Sequence, residues 1–138
     1  MICKNGVPIR IMPNIHEGAF IGDTREISQA LESGQSPVEF DDTGSSPVHK
    51  AAANGHLEAL KLLLEHGGDI NQCDITGSSP LHVSSRNGHL TCVKYLIENG
   101  ADHKLKSKKG NTALNVAKSS AQQKVAEYLA NCDRDKFA

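Results

Sequence analysis

The sequence predicts an all-α solenoid of stacked helix pairs, and the main reason is an internal repeat with a period of about 33 residues. The block 44–49 returns one period later as 77–82 with one change, from Val48 to Leu81. The block 54–57 returns unchanged at the same interval as 87–90, and 110–115 is a weaker third copy. A fixed period of this size predicts stacked supersecondary units rather than a globular core around one pocket.

The period divides residues 1–138 into a single domain of four units. His16 and Gly22 stand one period before His49 and Gly55, so a degenerate unit precedes the full repeats. We expect residues 1–12 and 133–138 to be flexible ends. The units are a degenerate N-terminal capping repeat at 13–40, full repeats at 41–73 and 74–106, and a C-terminal capping repeat at 107–132.

Each full repeat contains the signals for two helices. Ser46 followed by Pro47 predicts a helix start, because the hydroxyl caps free N–H groups and proline needs no hydrogen bond in the first turn. Gly55 suits the left-handed conformation that follows a helix end. The apolar stripe from Leu57 to Leu64 predicts a second helix, which Gly67 closes.

The final unit is predicted to end in a helix over 122–131. Ser120 and Gln123 have the spacing of a capping box for that helix. The helix is polar, and Lys118 stands where the other repeats carry a small residue. Together with Met1, these features lead us to expect no further repeat at either end.

Composition narrows the classes of function. A net charge of −1 and 4% aromatic residues favour neither nucleic acid nor an anionic membrane surface. The chain lacks an apolar run long enough to span a bilayer or form a signal peptide, which indicates a cytoplasmic or nuclear protein. Its four cysteines lack zinc-site spacing; we read them as free thiols, although sequence alone leaves disulfide pairing open.

The repeated blocks resemble the ankyrin repeat. The family pattern, roughly G-x-T-P-L-H-x-A-A-x-x-G-H followed by a leucine-rich helix and G-A-D-V-N, is matched over 44–71 and again over 77–102. Serine replaces the threonine at Ser46 and Ser79, and Ser84-Ser85 replaces the two alanines. The resemblance implies an L-shaped stack in which β-turn fingers project beside the first helix of each unit.

The resemblance also implies binding of another protein, by a monomer without cofactor or catalysis. Its contacts would come from the fingers and the first-helix surface, so that the chain acts as a scaffold, adaptor or steric inhibitor. The residues at the variable positions of these elements are Asp42, Thr43, Ser45, Ala53, Asn54, Ile75, Thr76, Ser78, Arg86, Asn87, Lys108, Lys109, Asn111 and Ser119.

Two other functions compete with this interpretation. Seven histidines could indicate a metal or general-base site, although His49 and His82 occupy one repeated slot, which the family uses to tie a finger to a helix. The spacing from Leu63 to Asp69-Ile70-Asn71 resembles the substrates of asparaginyl hydroxylases, with Asn71 as acceptor. The alternative for Asn71 is a hydrogen bond within its turn.

The fingers differ in charge along the stack. Glu39, Asp41 and Asp42 make the first finger acidic, whereas Lys104, Lys106, Lys108 and Lys109 make the last one basic. This pattern is either a set of solvated loops or a bipolar surface that orients an elongated partner.

Overall fold

The chain is a stack of helix pairs, as its period predicts. The computed structural model describes residues 13–42 and 44–132 in full, and residues 3–4, 7–8 and 133–135 at the level of the backbone. The helices of this part of the chain are α1 (Ile15–Ile21), α2 (Thr24–Glu32), α3 (Pro47–Ala53), α4 (Leu57–Glu65), α5 (Pro80–Arg86), α6 (Leu90–Glu98), α7 (Ala113–Ser119) and α8 (Gln123–Asp135).

The helices form two layers. The first helices α1, α3, α5 and α7 pack in sequence on one another, and the second helices α2, α4, α6 and α8 do the same behind them. Each unit thus packs mainly against its neighbours in the chain, which makes the fold all-α and solenoidal.

Local sequence explains where the first helices begin. The side chain of Ser46 accepts a hydrogen bond from the backbone N–H of His49, and Ser79 and Thr112 cap α5 and α7 in the same way. In the degenerate unit, Asn14 takes this role by accepting from the first N–H groups of α1. A capping residue therefore stands ahead of every first helix, even where the Ser-Pro start is missing.

Packing between units uses small residues in front and branched residues behind. Ala51 and Ala52 on α3 are fully buried, so the first helices approach one another closely. Leu60 and Leu63 of α4 and Leu96 of α6 fill the core between the layers. Burying one leucine side chain contributes roughly 1.5–3 kcal/mol, so these positions provide much of the stability.

Flexible ends at 1–12 and 133–138 stay a prediction, since the structure describes only part of both segments. In residues 1–12, β1 (Cys3–Lys4) pairs antiparallel with β2 (Val7–Pro8), and the remaining residues lie outside the described part. At the other end α8 continues to Asp135, beyond the expected stop at 131, because no glycine or proline follows Asn131.

The predicted capping box of the last helix is wrong. Ser120 ends α7 as its C-cap, and α8 begins only at Gln123. Ala121 lies between them with a φ of 58°, in the position that Gly55 and Gly88 occupy in the full repeats. The last unit therefore repeats the left-handed turn of the others rather than starting its helix with a serine.

Ser85 carries a buried hydroxyl without a hydrogen-bond partner among the described residues. The equivalent residue one unit earlier is the fully buried Ala52. Since an unpaired buried hydroxyl costs about 1–3 kcal/mol, we expect Ser85→Ala to raise the free energy of unfolding by about 1–2 kcal/mol in urea titrations followed by circular dichroism. Ser84→Ala is the matched control, because the Ser84 hydroxyl already donates to the Leu81 carbonyl at 3.2 Å. A Ser85→Ala midpoint at or below that of the native chain would contradict this expectation.

Candidate binding groove

The fingers are tight turns closed by backbone hydrogen bonds. In the second finger the Asp74 N–H donates to the Ser78 carbonyl at 2.9 Å, and the Gly77 N–H donates to the Asp74 carbonyl at 2.9 Å. The Asp74 carboxylate also accepts from the backbone N–H of Thr76 and of Ser78. Burial alone would raise the pKa of Asp74, but a hydrogen bond from the Thr76 hydroxyl, these two N–H bonds and the nearby His49 hold it below its usual value.

Neighbouring fingers are joined to one another. The Ile75 N–H donates to the Gly44 carbonyl at 3.2 Å, and the Lys108 N–H donates to the Thr76 carbonyl at 3.1 Å. The fingers thus form a continuous edge whose spacing is fixed by main-chain contacts. Side chains at their tips are presented on a rigid support, as a binding surface requires.

The repeated histidines tie each unit to the next finger. His49 is buried; its Nε2–H donates to the Ser78 carbonyl at 2.7 Å, and its Nδ1 accepts from the Ser46 hydroxyl at 2.7 Å. His82 makes the same pair of contacts with Ser79 and with the Asn111 carbonyl, at 2.8 Å each. Both ring nitrogens of each histidine are therefore engaged in the neutral form.

Burial explains the titration of these two histidines. It disfavours the charged ring and lowers the pKa of His49, with Lys50 and His82 acting in the same direction. It also lowers the pKa of His82, with Arg86 adding to the effect. Among the described residues, no three His, Cys, Asp or Glu side chains cluster as metal ligands.

A groove of about 690 Å³ lies between the second and third fingers, and we call it the finger groove. It brings together most of the contact residues predicted in the last two units. Those predicted residues are Ile75, Thr76, Ser78, Arg86, Lys108, Lys109, Asn111 and Ser119. Ser107, Val116 and Ser120 complete the lining, so the described residues around the groove include three cations and no carboxylate.

The finger groove has one apolar side. Ile75 is 65% exposed, the highest exposure among the large hydrophobic side chains of the described residues. Val116, on α7, is 7% exposed and also lines the groove. Sequence reasoning missed Val116, although it stands one period after Val83 in a first-helix slot facing the fingers.

Ser78 does not present its side chain as predicted. Ser78 is 2% exposed, because it lies beneath the tip of the finger, where its carbonyl accepts a hydrogen bond from His49. Its side chain therefore offers almost no surface to a partner.

The asparagines at the ends of the first helices act as ties between units. The Asn54 amide donates to the Phe20 carbonyl at 3.2 Å, and the Asn87 amide donates to the Ala53 carbonyl at 2.7 Å. Both residues remain exposed, yet their amide donors serve the stack. With Ala53, which is half-buried, they lie outside the finger groove.

The first finger is less acidic than its sequence suggests. Asp41 forms an ion pair with Lys50, and Lys50 Nζ also lies 3.2 Å from His16 Nδ1. Burial lowers the pKa of His16, and the Lys50 charge lowers it further. Asp42 is exposed, Ser45 is half-buried with its N–H bonded to the Asp41 carboxylate, and Thr43 lies outside the described residues. The exposed acidic groups of this finger are thus Glu39 and Asp42.

Asn71 lies away from the finger groove, in the loop after α4. Its side-chain oxygen accepts from the Asp102 N–H at 2.8 Å, which ties this loop to the equivalent loop of the next unit. This bond joins two units, whereas the alternative to modification was a hydrogen bond within the turn of Asn71; modification of Asn71 stays a prediction.

Comparison with known families agrees with this architecture. A family model described as ankyrin repeats (3 copies) matches residues 15–107 and 68–138. A search of curated proteins found no significant match. Across the described residues, none of the helices has the length and apolar composition needed to cross a bilayer. Since the family model covers nearly all of the chain and the helix pairs follow its period, the chain belongs to the ankyrin repeat family.

Proposed function

We propose that this chain binds a partner protein through its fingers and first-helix surface, and that it masks or organises that partner without chemistry of its own. Ankyrin repeats generally mediate protein–protein interaction and are typically non-catalytic. The observation that carries the proposal is the finger groove, where exposed Ile75 and three cations converge on a rigid edge. Apolar anchors beside unpaired charges are typical of interaction surfaces.

The engagement of the histidines supports a binding role over an enzymatic one. A general base needs a nitrogen free to take a proton, whereas both ring nitrogens of His49 and His82 hold structural hydrogen bonds. Releasing either ring would break a contact between units. These two side chains are therefore poor candidates for catalysis.

The proposal is tested by affinity capture with matched charge variants. The test variant carries Asp42→Arg, Arg86→Glu and Lys108→Glu on the finger side. The control carries Glu65→Arg, Lys94→Glu and Lys124→Glu, which makes the same net change at exposed positions on α4, α6 and α8. Circular dichroism should show both variants folded as the native chain is.

We expect native and control baits to retain a common partner that the finger variant loses, with recovery reduced at least about tenfold, as for loss of central interface contacts. Quantitative mass spectrometry of native lysate provides the measurement. Equal capture by the two variants would contradict the assigned surface, and the lack of any specific partner would contradict the binding function itself.

A further inference from the structure

We infer that the finger groove binds an extended acidic segment of the partner, which places one aliphatic side chain against Ile75 and its carboxylates at Arg86, Lys108 and Lys109. This inference rests on the proposed function and specifies the chemistry of the ligand. It follows from three properties of the groove: its charge, its apolar side and its fixed shape.

The charge of the groove is uncompensated. Elsewhere in the described part of the chain, Lys50 pairs with Asp41, and Lys61 lies 3.8 Å from Glu58. None of the three groove cations forms an ion pair with a carboxylate among the described residues, which is also true of exposed Lys106 and Lys118. Positive charges gathered without internal partners complement carboxylates arriving from outside, and the exposed Glu39 and Asp42 at the opposite end disfavour an acidic ligand there.

The apolar side selects an aliphatic anchor. Ile75 is supported from beneath, since a Cβ placed on Gly44 would lie 2.8 Å from the Ile75 Cβ, yet its outer part is exposed. Covering its exposed part would remove apolar surface from water, which favours binding. A ligand with a leucine or isoleucine between acidic residues satisfies both this surface and the cations.

The residues that line the groove favour a peptide over a nucleic acid. None of the described lining residues is aromatic, so bases would have no side chain on which to stack. The hydroxyls of Ser107, Ser119 and Ser120 offer hydrogen bonds to a peptide backbone. The bonds from Lys108 to Thr76 and from His82 to Asn111 hold the two walls in place before a ligand arrives.

The test is fluorescence anisotropy of the full chain with a labelled synthetic peptide that carries a central leucine flanked by glutamates. Comparison peptides replace the leucine by serine, the glutamates by lysines, or one flanking position by phosphoserine, and a single-stranded oligouridine probes nucleic acid. Lys108→Glu is compared with Lys106→Glu, an identical charge change at an exposed lysine that does not line the groove. Ile75→Ser tests the anchor.

We expect Lys108→Glu and Ile75→Ser each to weaken binding of the acidic peptide about tenfold, and Lys106→Glu to weaken it less than about threefold. Raising the salt should slow association. The inference is overturned if both lysine variants weaken binding equally, if the serine peptide binds as well as the leucine peptide, or if phosphopeptide or oligouridine binds more tightly through the same residues. If the acidic peptide does not bind, but the native chain captures a partner that the finger variant loses, the inference is wrong and the proposed function stands.

Discussion

Replacing His49 by alanine is expected to lower the free energy of unfolding by about 3 kcal/mol, one of the largest effects of any single substitution in this chain. The change removes the acceptor of the buried Ser46 hydroxyl and one of the two donors to the Ser78 carbonyl, which keeps the Asp74 N–H, and it opens a cavity between two units. Urea titration followed by circular dichroism measures the loss. An unchanged unfolding midpoint would show that His49 does not hold the units together.

The pH dependence of stability provides a second readout for the same variant. Burial holds the pKa of His49 below its usual value of 6.5, so the unfolded chain binds more protons than the folded chain as the pH falls through this region. The contribution of His49 is therefore fully present above pH 6.5 and is lost on acidification towards its lowered folded pKa. His49→Ala should make the loss of stability below pH 6.5 less steep, and His82 should account for much of what remains.

His49→Asn is the matched control for this substitution. Asn115 occupies the same slot in the last unit and accepts from the Thr112 N–H at 3.0 Å, so asparagine can preserve the cap within its own unit. It is too short to replace the bond to the next finger. We expect a loss of about 1–2 kcal/mol, smaller than that of His49→Ala.

Gly55→Ala is expected to cost about 2–4 kcal/mol, because it combines backbone strain with a collision between units. Gly55 has a φ of 73°, a left-handed conformation that costs an L-residue about 1–2 kcal/mol. A Cβ at this position would also lie 2.6 Å from the His89 Nδ1, so the His89 ring of the next unit would have to shift. Thermal and urea unfolding measure the combined effect.

Gly110→Ala separates the two causes. Gly110 has a similar φ of 83°, but nothing lies within 4 Å of the Cβ that alanine would add. We therefore expect only the conformational cost there. Equal losses for the two variants would show that contact with His89 contributes nothing.

The sequence predicts the fold well because the signals are local and repeated. Ser46-Pro47 and Gly55 bracket α3, and the leucine stripe sets α4 from Leu57 to Glu65. The period then carries the same assignment to α5 and α6. The prediction failed at the start of the last helix, because Ser120 ends α7 and the turn there uses Ala121, which sequence rules do not place in a left-handed conformation.

The site is predicted only in outline. The period identifies which residues stand on fingers, and the groove gathers those of the last two units. It does not specify side-chain direction, so it predicts an exposed Ser78 although the turn folds this residue inward. It also assigns Asn54 and Asn87 to the contact surface, whereas their amides bond to preceding units.

Contacts between units explain most of the remaining differences between the roles that the sequence predicts for these residues and those that the structure shows. Lys50, Val83 and Val116 share one slot of the first helix, yet Lys50 neutralises Asp41 of its own unit, whereas Val116 lines the groove with Ile75 of the preceding unit. The outcome at Val116 therefore depends on the finger of the preceding unit, which lies well away in sequence. Such partners become visible only when the units are stacked.

The finger groove belongs to two units at once, since Ile75 and Arg86 come from the third unit and Lys108 and Val116 from the fourth. If the fourth unit opens, the bond from His82 to Asn111 is broken and the groove ceases to exist. Occupancy of the groove and local opening of the terminal unit are therefore mutually exclusive states, linked by mass action. A ligand that fills the groove stabilises the closed state of the fourth unit. The affinity measured for it therefore includes the free energy of keeping that unit closed.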